Sequence, residues 1–378
     1  MLLFVPRERA AGERRVAVSP ETVTALCEAG IDVRVERGAG EGARWSDDAF
    51  AAAGAELVSA EGIADADVVA RVSPPSPDEA RALPERAVLL GFVAPHRNRE
   101  AVGLLAERKI TTLALELLPR VSRAQAMDAL SSQANVAGYR AVIVAAHEID
   151  KYFPLFMTAA GTIRPAQVVV LGAGVAGLQA VATARRLGAI VHVSDIREAA
   201  KEEVESLGGK FIEVPEASDL SAEGGYAAEV GEDFLARQRA VLTERLREAH
   251  AVITTAQVPG RPAPRLVTAE MVEAMPAGSV LIDVAAADGG NCELTDPAAE
   301  VHRGEVRIIP GQHLPSDMAG EASALFARNI RALMKLLVDD SGSLALDLDD
   351  EVVSGALLTH DGGVAHAPTA ELLAEGAA

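Results

Sequence analysis

Cysteine is almost missing from this 378-residue sequence: Cys27 and Cys292 are the only two. That is too few for a disulfide framework or a cysteine-built zinc site. Aromatic residues make up 3%, so a core must be built from Ala, Val, Leu and Ile. Lysine is scarce, and 35 basic residues against 55 acidic ones leave a net charge of −20. A surface of that sign repels phosphate backbones and anionic lipid heads, which argues against a nucleic-acid role. No run of about 20 unbroken apolar residues is present, so no membrane span is expected. The nearest approach, Val168 to Ala184, is broken by Gly172, Gly174 and Gly177. The start, MLLFVPRERA, brings charge too early for a signal peptide, and the expected compartment is cytoplasmic. The histidines show no metal-ligand spacing, so no metal site is expected.

What is present is an alternation of strand-like and helix-like runs, the pattern of an α/β protein with parallel sheets. The length implies two or three domains. Leu2 to Val5 reads as a strand, and Ser19 with Pro20 opens a helix that stops near Gly30. From Ser122 to about Tyr152 the sequence predicts one long helix, opened by Ser122 and Gln125 as a capping box. A βαβ series begins at Gln167 and continues past Ile309, followed by a helical run from Met318 to Val338. The expected fold is two Rossmann-like, doubly wound parallel-sheet domains with a cleft between them. Domain one takes residues 1–128 plus 320–378, and domain two takes 129–319.

The strongest local signal is QVVVLGAGVAGLQAVATARRLGAIVHVSD, residues 167–195. A buried strand is followed at once by Gly172-Ala-Gly174-Val175-Ala-Gly177, then a helix, a second strand and Asp195 at its tip. Gly172 permits a tight turn, Gly174 lets backbone approach a pyrophosphate, and Gly177 allows close packing of helix on strand. The helix N-terminus offers unpaired N–H groups and a partial positive charge to phosphates. Asp195, with Ile196 and Arg197 behind it, can accept from an adenosine ribose and would repel a 2′-phosphate. That favours NAD over NADP, although a nearby Arg such as Arg197 can accommodate a 2′-phosphate. Strand, turn, helix, strand and acid fall in the confirming order for a dinucleotide site.

The segments RERAAGERRVAVSPETV, RGAGEGARWSDDAFAAAGAEL and AGVAGLQAVATARRLGA resemble the alanine dehydrogenase and transhydrogenase superfamily. Others, PRVSRAQAMDALSSQANVAGYRAVI, TTAQVPGRPAP, GGNCELT, LPSDMAGEASALFARNI and GALLTHDGGVAH, resemble the NAD(H)-binding component of the proton-translocating NAD(P) transhydrogenases. The likeness covers essentially the whole chain. It implies direct, Re/Si-specific hydride transfer between NADH here and NADP(H) on a partner subunit. Proton translocation would be coupled through a membrane-spanning subunit, and this component would be a homodimer held peripherally at the cytoplasmic face of the membrane. The resemblance assigns Arg120, Gln125, Asp128 and Ser131 to the surroundings of the nicotinamide. Read without it, Gln125, Asp128 and Ser131 recur every third residue and fit a solvated helix face equally well. It also assigns a mobile lid to Gly224, Gly225 and Tyr226, and cofactor contacts to Gln238, Thr255, Ala256 and Gln257. Thr255 follows a strand, and the carboxyl ends of parallel strands are where ligands sit.

Two other readings compete. A soluble alanine dehydrogenase needs a cationic clamp and a proton-transfer group, which that family supplies as an Arg, a Lys, a His and an Asp. Arg15 matches the first, but the other positions fall at Ser73, at Ala94 (with His96 two residues on) and at Ala287 (with Asp288 next to it). Arg15 therefore reads as a structural ion-pair residue. The second alternative is a non-catalytic NAD-binding module.

Overall fold

The computed structural model describes residues 1–214, 232–258, 260–339 and 342–375. The chain divides into two compact units, residues 1–133 with 316–378, and residues 134–315.

In the first unit the strand Leu2–Val5 lies inside an eight-stranded sheet. Asp32–Glu36 and Glu56–Val58 follow on one side; Val68–Ala70, Val88–Gly91 and Thr111–Ala114 follow on the other. These six run parallel, and the tail adds Leu357–His360 and Gly363–Val364 antiparallel at one edge. Because successive side chains of a strand point to opposite faces, Leu3 and Val5 pack with Phe326 and Ile330 of the helix Ala319–Met334. Phe4 packs on the other face with Val102 and Leu105. Both faces are covered, which is why the inner strands Leu2–Val5, Val68–Ala70 and Val88–Gly91 are apolar throughout, whereas Asp32–Glu36 nearer the edge alternates. The helix Pro20–Glu28 starts as its sequence requires. Ser19 Oγ accepts from Thr22 N at 3.2 Å, and Thr22 Oγ1 accepts from Ser19 N at 2.9 Å.

In the second unit the seven strands run Lys210–Phe211, Ile190–Ser194, Gln167–Leu171, Ala251–Thr254, Val280–Asp283, Val306–Pro310 and Val301–Arg303. Only the last pair is antiparallel. Val168 and Val170 face one core, Val169 and Leu171 the other. Gln167–Leu171 has its successor on one side and the later strand Ala251–Thr254 on the other, so the winding reverses beside it. This is the doubly wound, Rossmann-like α/β architecture that the alternation of runs implied. A separate hairpin, Phe156–Thr158 with Gly161–Ile163, leaves Leu155, Phe156 and Met157 exposed.

One expectation fails. The stretch from Ser122 to Tyr152 is not a single helix, and Ser122 and Gln125 form no capping box. Residues Ser122–Met127 form a 3-10 helix without a side-chain cap, and the α-helix is Ala129–Glu148. Asp128 separates them: its Oδ1 accepts from Ser131 N at 2.8 Å and its Oδ2 from Ser131 Oγ at 2.6 Å. An aspartate that satisfies the first N–H groups of a helix favours a start there over continuation through it.

Candidate nucleotide site

The turn after Gln167–Leu171 is shaped by its glycines. Gly172 has φ +97, a conformation costly for any side chain, and its N–H donates to Ser194 O at 2.8 Å. A Cβ there would come within 2.8 Å of Thr255 Oγ1. At Gly177 a Cβ would sit 1.9 Å from Gly172 O, so helix and turn touch backbone to backbone. Gly174 differs from both, because a Cβ there would meet nothing within 4 Å. It opens the helix Val175–Arg186 with no side-chain cap. An uncapped helix start beside open space is a cradle for an anionic group, built from backbone donors and the helix dipole.

At the tip of the next strand, Asp195 is tied in twice. Its Oδ2 accepts from Ala173 N in the glycine turn at 2.7 Å and from Arg197 Nη2 at 2.9 Å. Its Oδ1 accepts from Arg197 N and Nε, each at 2.9 Å. Burial alone would raise the Asp195 carboxyl, but Arg197 and the Ala173 N–H hold it below the usual aspartate range. The Arg197 guanidinium is raised in turn, chiefly by its hydrogen bond to Asp195. Asp195 therefore stays an anion, with Arg197 folded onto it as a bidentate partner.

The third wall comes from the strand Ala251–Thr254, on the other side of the reversal. Thr255 N donates to Leu171 O at 2.8 Å, and Thr255 Oγ1 donates to Gly172 O at 3.0 Å. Ala256 is held from both ends by Asn291, whose Oδ1 accepts its N–H at 3.0 Å and whose Nδ2 donates to its carbonyl at 2.8 Å. Gln257 Nε2 donates to Asp288 Oδ2 at 3.2 Å. Behind this wall Asp283, fully buried, accepts from Thr254 Oγ1, Ala285 N, Cys292 N and Thr295 Oγ1. Neither Asn291 nor Asp283 stands out in the sequence. The nearest signal is the segment GGNCELT, where a buried Asn follows two glycines of positive φ.

The glycine turn, Asp195 with Arg197, and Thr255 with Ala256 are thus brought together around one end of the sheet. Val175 heads the uncapped helix, and Ile196 lies between Asp195 and Arg197. Gln238 lies on the helix Glu232–Leu246 and is 4% exposed. Gly224, Gly225 and Tyr226 lie outside the described residues. In the first unit Arg120 and Gln125 are exposed, and Asp128 and Ser131 are joined as described above. No group of His, Cys, Asp and Glu able to hold a metal ion occurs among the described residues.

The positions at which the resemblance leads one to expect an alanine dehydrogenase's clamp and proton-transfer groups have other partners. Arg15 Nε and Nη2 donate to the two oxygens of Glu13 at 2.7 and 2.5 Å, and its Nη1 donates to Gln133 Oε1 at 2.8 Å. Ser73 Oγ and Ser316 Oγ donate to the same carboxylate at 3.0 and 2.5 Å. Burial opposes charge on Glu13, yet Arg15 and Ser316 bring its carboxyl down to about 2. Ala94, at φ +52, donates its N–H to Glu116 Oε1. Ala287 lies in a short 3-10 turn, Ala286–Asp288.

Comparison with known proteins agrees with this layout. The family "Alanine dehydrogenase/PNT, N-terminal domain" matches residues 4–137, and "Alanine dehydrogenase/PNT, C-terminal domain" matches residues 141–367. The chain is 49% identical over 376 residues to the first part of the "NAD(P) transhydrogenase subunit alpha" of Rhodospirillum rubrum, covering 97% of this chain and 98% of that one. The structure of a transhydrogenase from Sinorhizobium meliloti superposes with a TM-score of 0.86 at 44% identity, over 96% of this chain and 100% of that one. A structure of L-alanine dehydrogenase gives a TM-score of 0.81 at 26% identity, over 99% of each chain.

Proposed function

The chain belongs to the alanine dehydrogenase/PNT family, on the side of its transhydrogenase alpha subunits, and from that premise we propose that it binds NAD(H) and exchanges hydride directly with NADP(H) held on a partner subunit. The transfer is Re/Si-specific and is coupled to proton translocation by a membrane-spanning partner. One observation carries the choice of direct transfer over oxo-acid reduction. Where alanine dehydrogenases are expected to place their Lys, His and Asp, this chain has Ser73, Ala94 and Ala287, and Arg15 is held by Glu13. Hydride exchange between two nicotinamides moves no substrate proton, so such groups are dispensable.

The residues present fit the dinucleotide. Gly174 and the uncapped helix start receive the pyrophosphate, and Asp195 accepts from the adenosine ribose. Thr255, Ala256 and Gln257 line the same strand ends, with Gln238 as a further contact. Bound NAD(H) supplies a transferable hydride on its nicotinamide ring. Arg120, Gln125, Asp128 and Ser131 orient that ring, so their contribution is geometric: a near-attack distance with water excluded. No helix among the described residues is long and apolar enough to cross a membrane. In this reading the membrane-spanning partner holds the chain peripherally at the cytoplasmic face. The exposed apolar hairpin near Met157 supports self-association as a homodimer.

The test is hydride exchange between NADH and an NADP analogue, with and without partner subunits. Exchange only in their presence is expected, and light scattering of the same preparation should read a dimer. With NADH, pyruvate and ammonia, no turnover is expected. Robust alanine formation would refute the reading and point to His96 and Asp288 as displaced catalytic groups.

A further inference from the structure

Asn329 is a polar residue on a helix face otherwise given to the core. It sits on Ala319–Met334, 7% exposed, next to Ile330 and one turn from Phe326 and Leu333, all fully buried. Its side chain is satisfied at both ends by a single segment of the chain. Nδ2 donates to Ala126 O at 2.9 Å, and Oδ1 accepts from Ser132 Oγ at 2.8 Å. These two partners bracket the junction where the 3-10 helix Ser122–Met127 gives way to the α-helix Ala129–Glu148.

That junction needs fastening. A 3-10 helix has poor hydrogen-bond geometry and rarely runs beyond three or four residues, whereas this one spans six. Ala124 and Met127 anchor one side of it in the core, while Ser122, Arg123, Gln125 and Ala126 are exposed. Two further ties come from elsewhere in the first unit. Arg123 pairs with Asp350, and Gln133 Nε2 donates to Ala322 O at 3.0 Å, two turns before Asn329 on the same helix. Arg123 and its pair with Asp350 lie near the surface, where ion pairs hold weakly. Gln133 is buried too but holds the helix beyond the junction, whereas the buried Asn329 grips the backbone immediately between Gln125 and Asp128.

We propose that Asn329 is a positioning residue for hydride transfer: by joining Ala126 O to Ser132 Oγ it fixes the angle between the 3-10 turn and the following helix, and so the placement of Gln125, Asp128 and Ser131. It touches no substrate. The proposal rests on the reading that these residues orient the nicotinamide, and its test separates the two.

Three variants are compared in the chain reconstituted with its partner subunits: Asn329→Asp, Asn329→Leu and Ser132→Ala. Asn329→Asp keeps the shape and the acceptor for Ser132 but turns a carboxylate oxygen toward Ala126 O. Displacement by about 1 Å costs on the order of a hundredfold in rate, so Asn329→Asp and Asn329→Leu should lower kcat at least about tenfold. The dissociation constant for NADH, read by nucleotide fluorescence, should stay within about threefold, because the adenosine and pyrophosphate contacts are elsewhere. Ser132→Ala leaves the bond to Ala126 O intact, so it should fold as the parent does and lose less rate than either Asn329 variant. The discriminating measurement is a double-mutant cycle. Gln125→Asn combined with Asn329→Asp should cost clearly less than the product of the two single effects, since both act through one placement. Asp195→Asn combined with Asn329→Asp should multiply. If the parent chain transfers no hydride with its partners, the functional reading fails. If the parent transfers hydride and the Asn329 variants match it, lose NADH affinity in step with rate, or multiply with Gln125→Asn, the positioning role fails.

Discussion

Replacing Asp195 by Asn should reverse much of the nucleotide preference, and the structure supplies both terms. Asn keeps an acceptor for Ala173 N, so the glycine turn should stay folded, but it removes the charge. The first term falls on NADH. A ribose hydroxyl donating to a carboxylate is a hydrogen bond to a charged group, contributing about 1.5–3 kcal/mol. The second falls on NADPH. A 2′-phosphate about 5 Å from the Asp195 carboxylate would be repelled by about 3 kcal/mol at an effective dielectric of 20. Both Asp195 (8% exposed) and Arg197 (21% exposed) are sheltered enough for that dielectric to apply. Losing the carboxylate also releases Arg197 from its bidentate pairing, and a guanidinium beside a 2′-phosphate adds attraction. Asn still offers the ribose a neutral acceptor, so about 1 kcal/mol of the first term is lost; with the second this amounts to about 4 kcal/mol, or roughly a thousandfold fall in the NADH-to-NADPH affinity ratio. The assay is fluorescence titration with each nucleotide at about 0.1 M salt and again at 1 M. At 1 M the Debye length of about 3 Å should shrink the electrostatic share. A ratio that moves less than about tenfold would remove Asp195 from the ribose site.

Two further predictions read other parts of the molecule. Gly174→Ala and Gly177→Ala should separate binding from folding. A methyl at Gly174 meets nothing within 4 Å and should leave Tm unchanged while filling the anion cradle and weakening NADH. One at Gly177 collides with Gly172 O and should lower Tm by several degrees, a shift calorimetry can read. The acid limb of stability should carry the signature of Glu13, whose carboxyl falls from 4.5 to about 2. A depressed carboxyl stabilises above its unfolded pKa and loses that contribution as pH falls through its folded one. About 3 kcal/mol should therefore disappear between roughly pH 4.5 and 2. Burial raises the neighbouring Glu8 carboxyl, so its contribution, of opposite sign, changes above pH 4.5 and leaves the limb below to Glu13. Glu13→Gln should flatten this limb in denaturant titrations at stepped pH, and an unchanged limb would refute the assignment.

The fold was legible because its signals are local. Four-residue apolar strands buried on both faces, a Ser19 cap with Pro20 behind it, and glycines at obligatory turns each declare themselves within a few residues. The glycine turn was legible for the same reason, with Gly172, Gly177 and Asp195 meeting across a single βαβ unit. The break at Asp128 was not. Periodicity counts apolar positions, and Ala124 and Met127 before the junction, with Ala129, Val136 and Ala137 after it, keep that count, while the decisive event is one carboxylate turning to Ser131. Residues that act across long separations were the least visible. Asn291 holding Ala256, Ser316 on Glu13 and Asn329 on Ala126 span 35, 303 and 203 residues. No spacing rule couples such positions, and a lone Asn or Ser inside an apolar run reads only as an interruption.

The two units pose the same topological opportunity and answer it with different chemistry. In each sheet the winding reverses beside one strand, and ligands of open α/β sheets sit at the carboxyl ends of the strands there. In the second unit that place holds an uncapped helix start and an open Gly174, and of the turn's backbone donors Ala173 N is given to Asp195. In the first unit the loops after Leu2–Val5 and Val68–Ala70 meet at the corresponding place and satisfy one another. Glu8 accepts from Val72 N at 2.6 Å, Arg71 pairs with both Glu8 and Glu79, and Ser73 and Arg15 converge on Glu13. Carboxylates of the chain itself therefore take up the donors at this place, Glu13 from Arg15, Ser73 and Ser316, and Glu8 from Val72 and Arg71. Two sheets of one architecture thus differ in whether their strand ends are left for a ligand, which is a property of side chains rather than of fold. On the function proposed above, that difference suits a chain whose reacting partner is a second nicotinamide rather than a substrate acid.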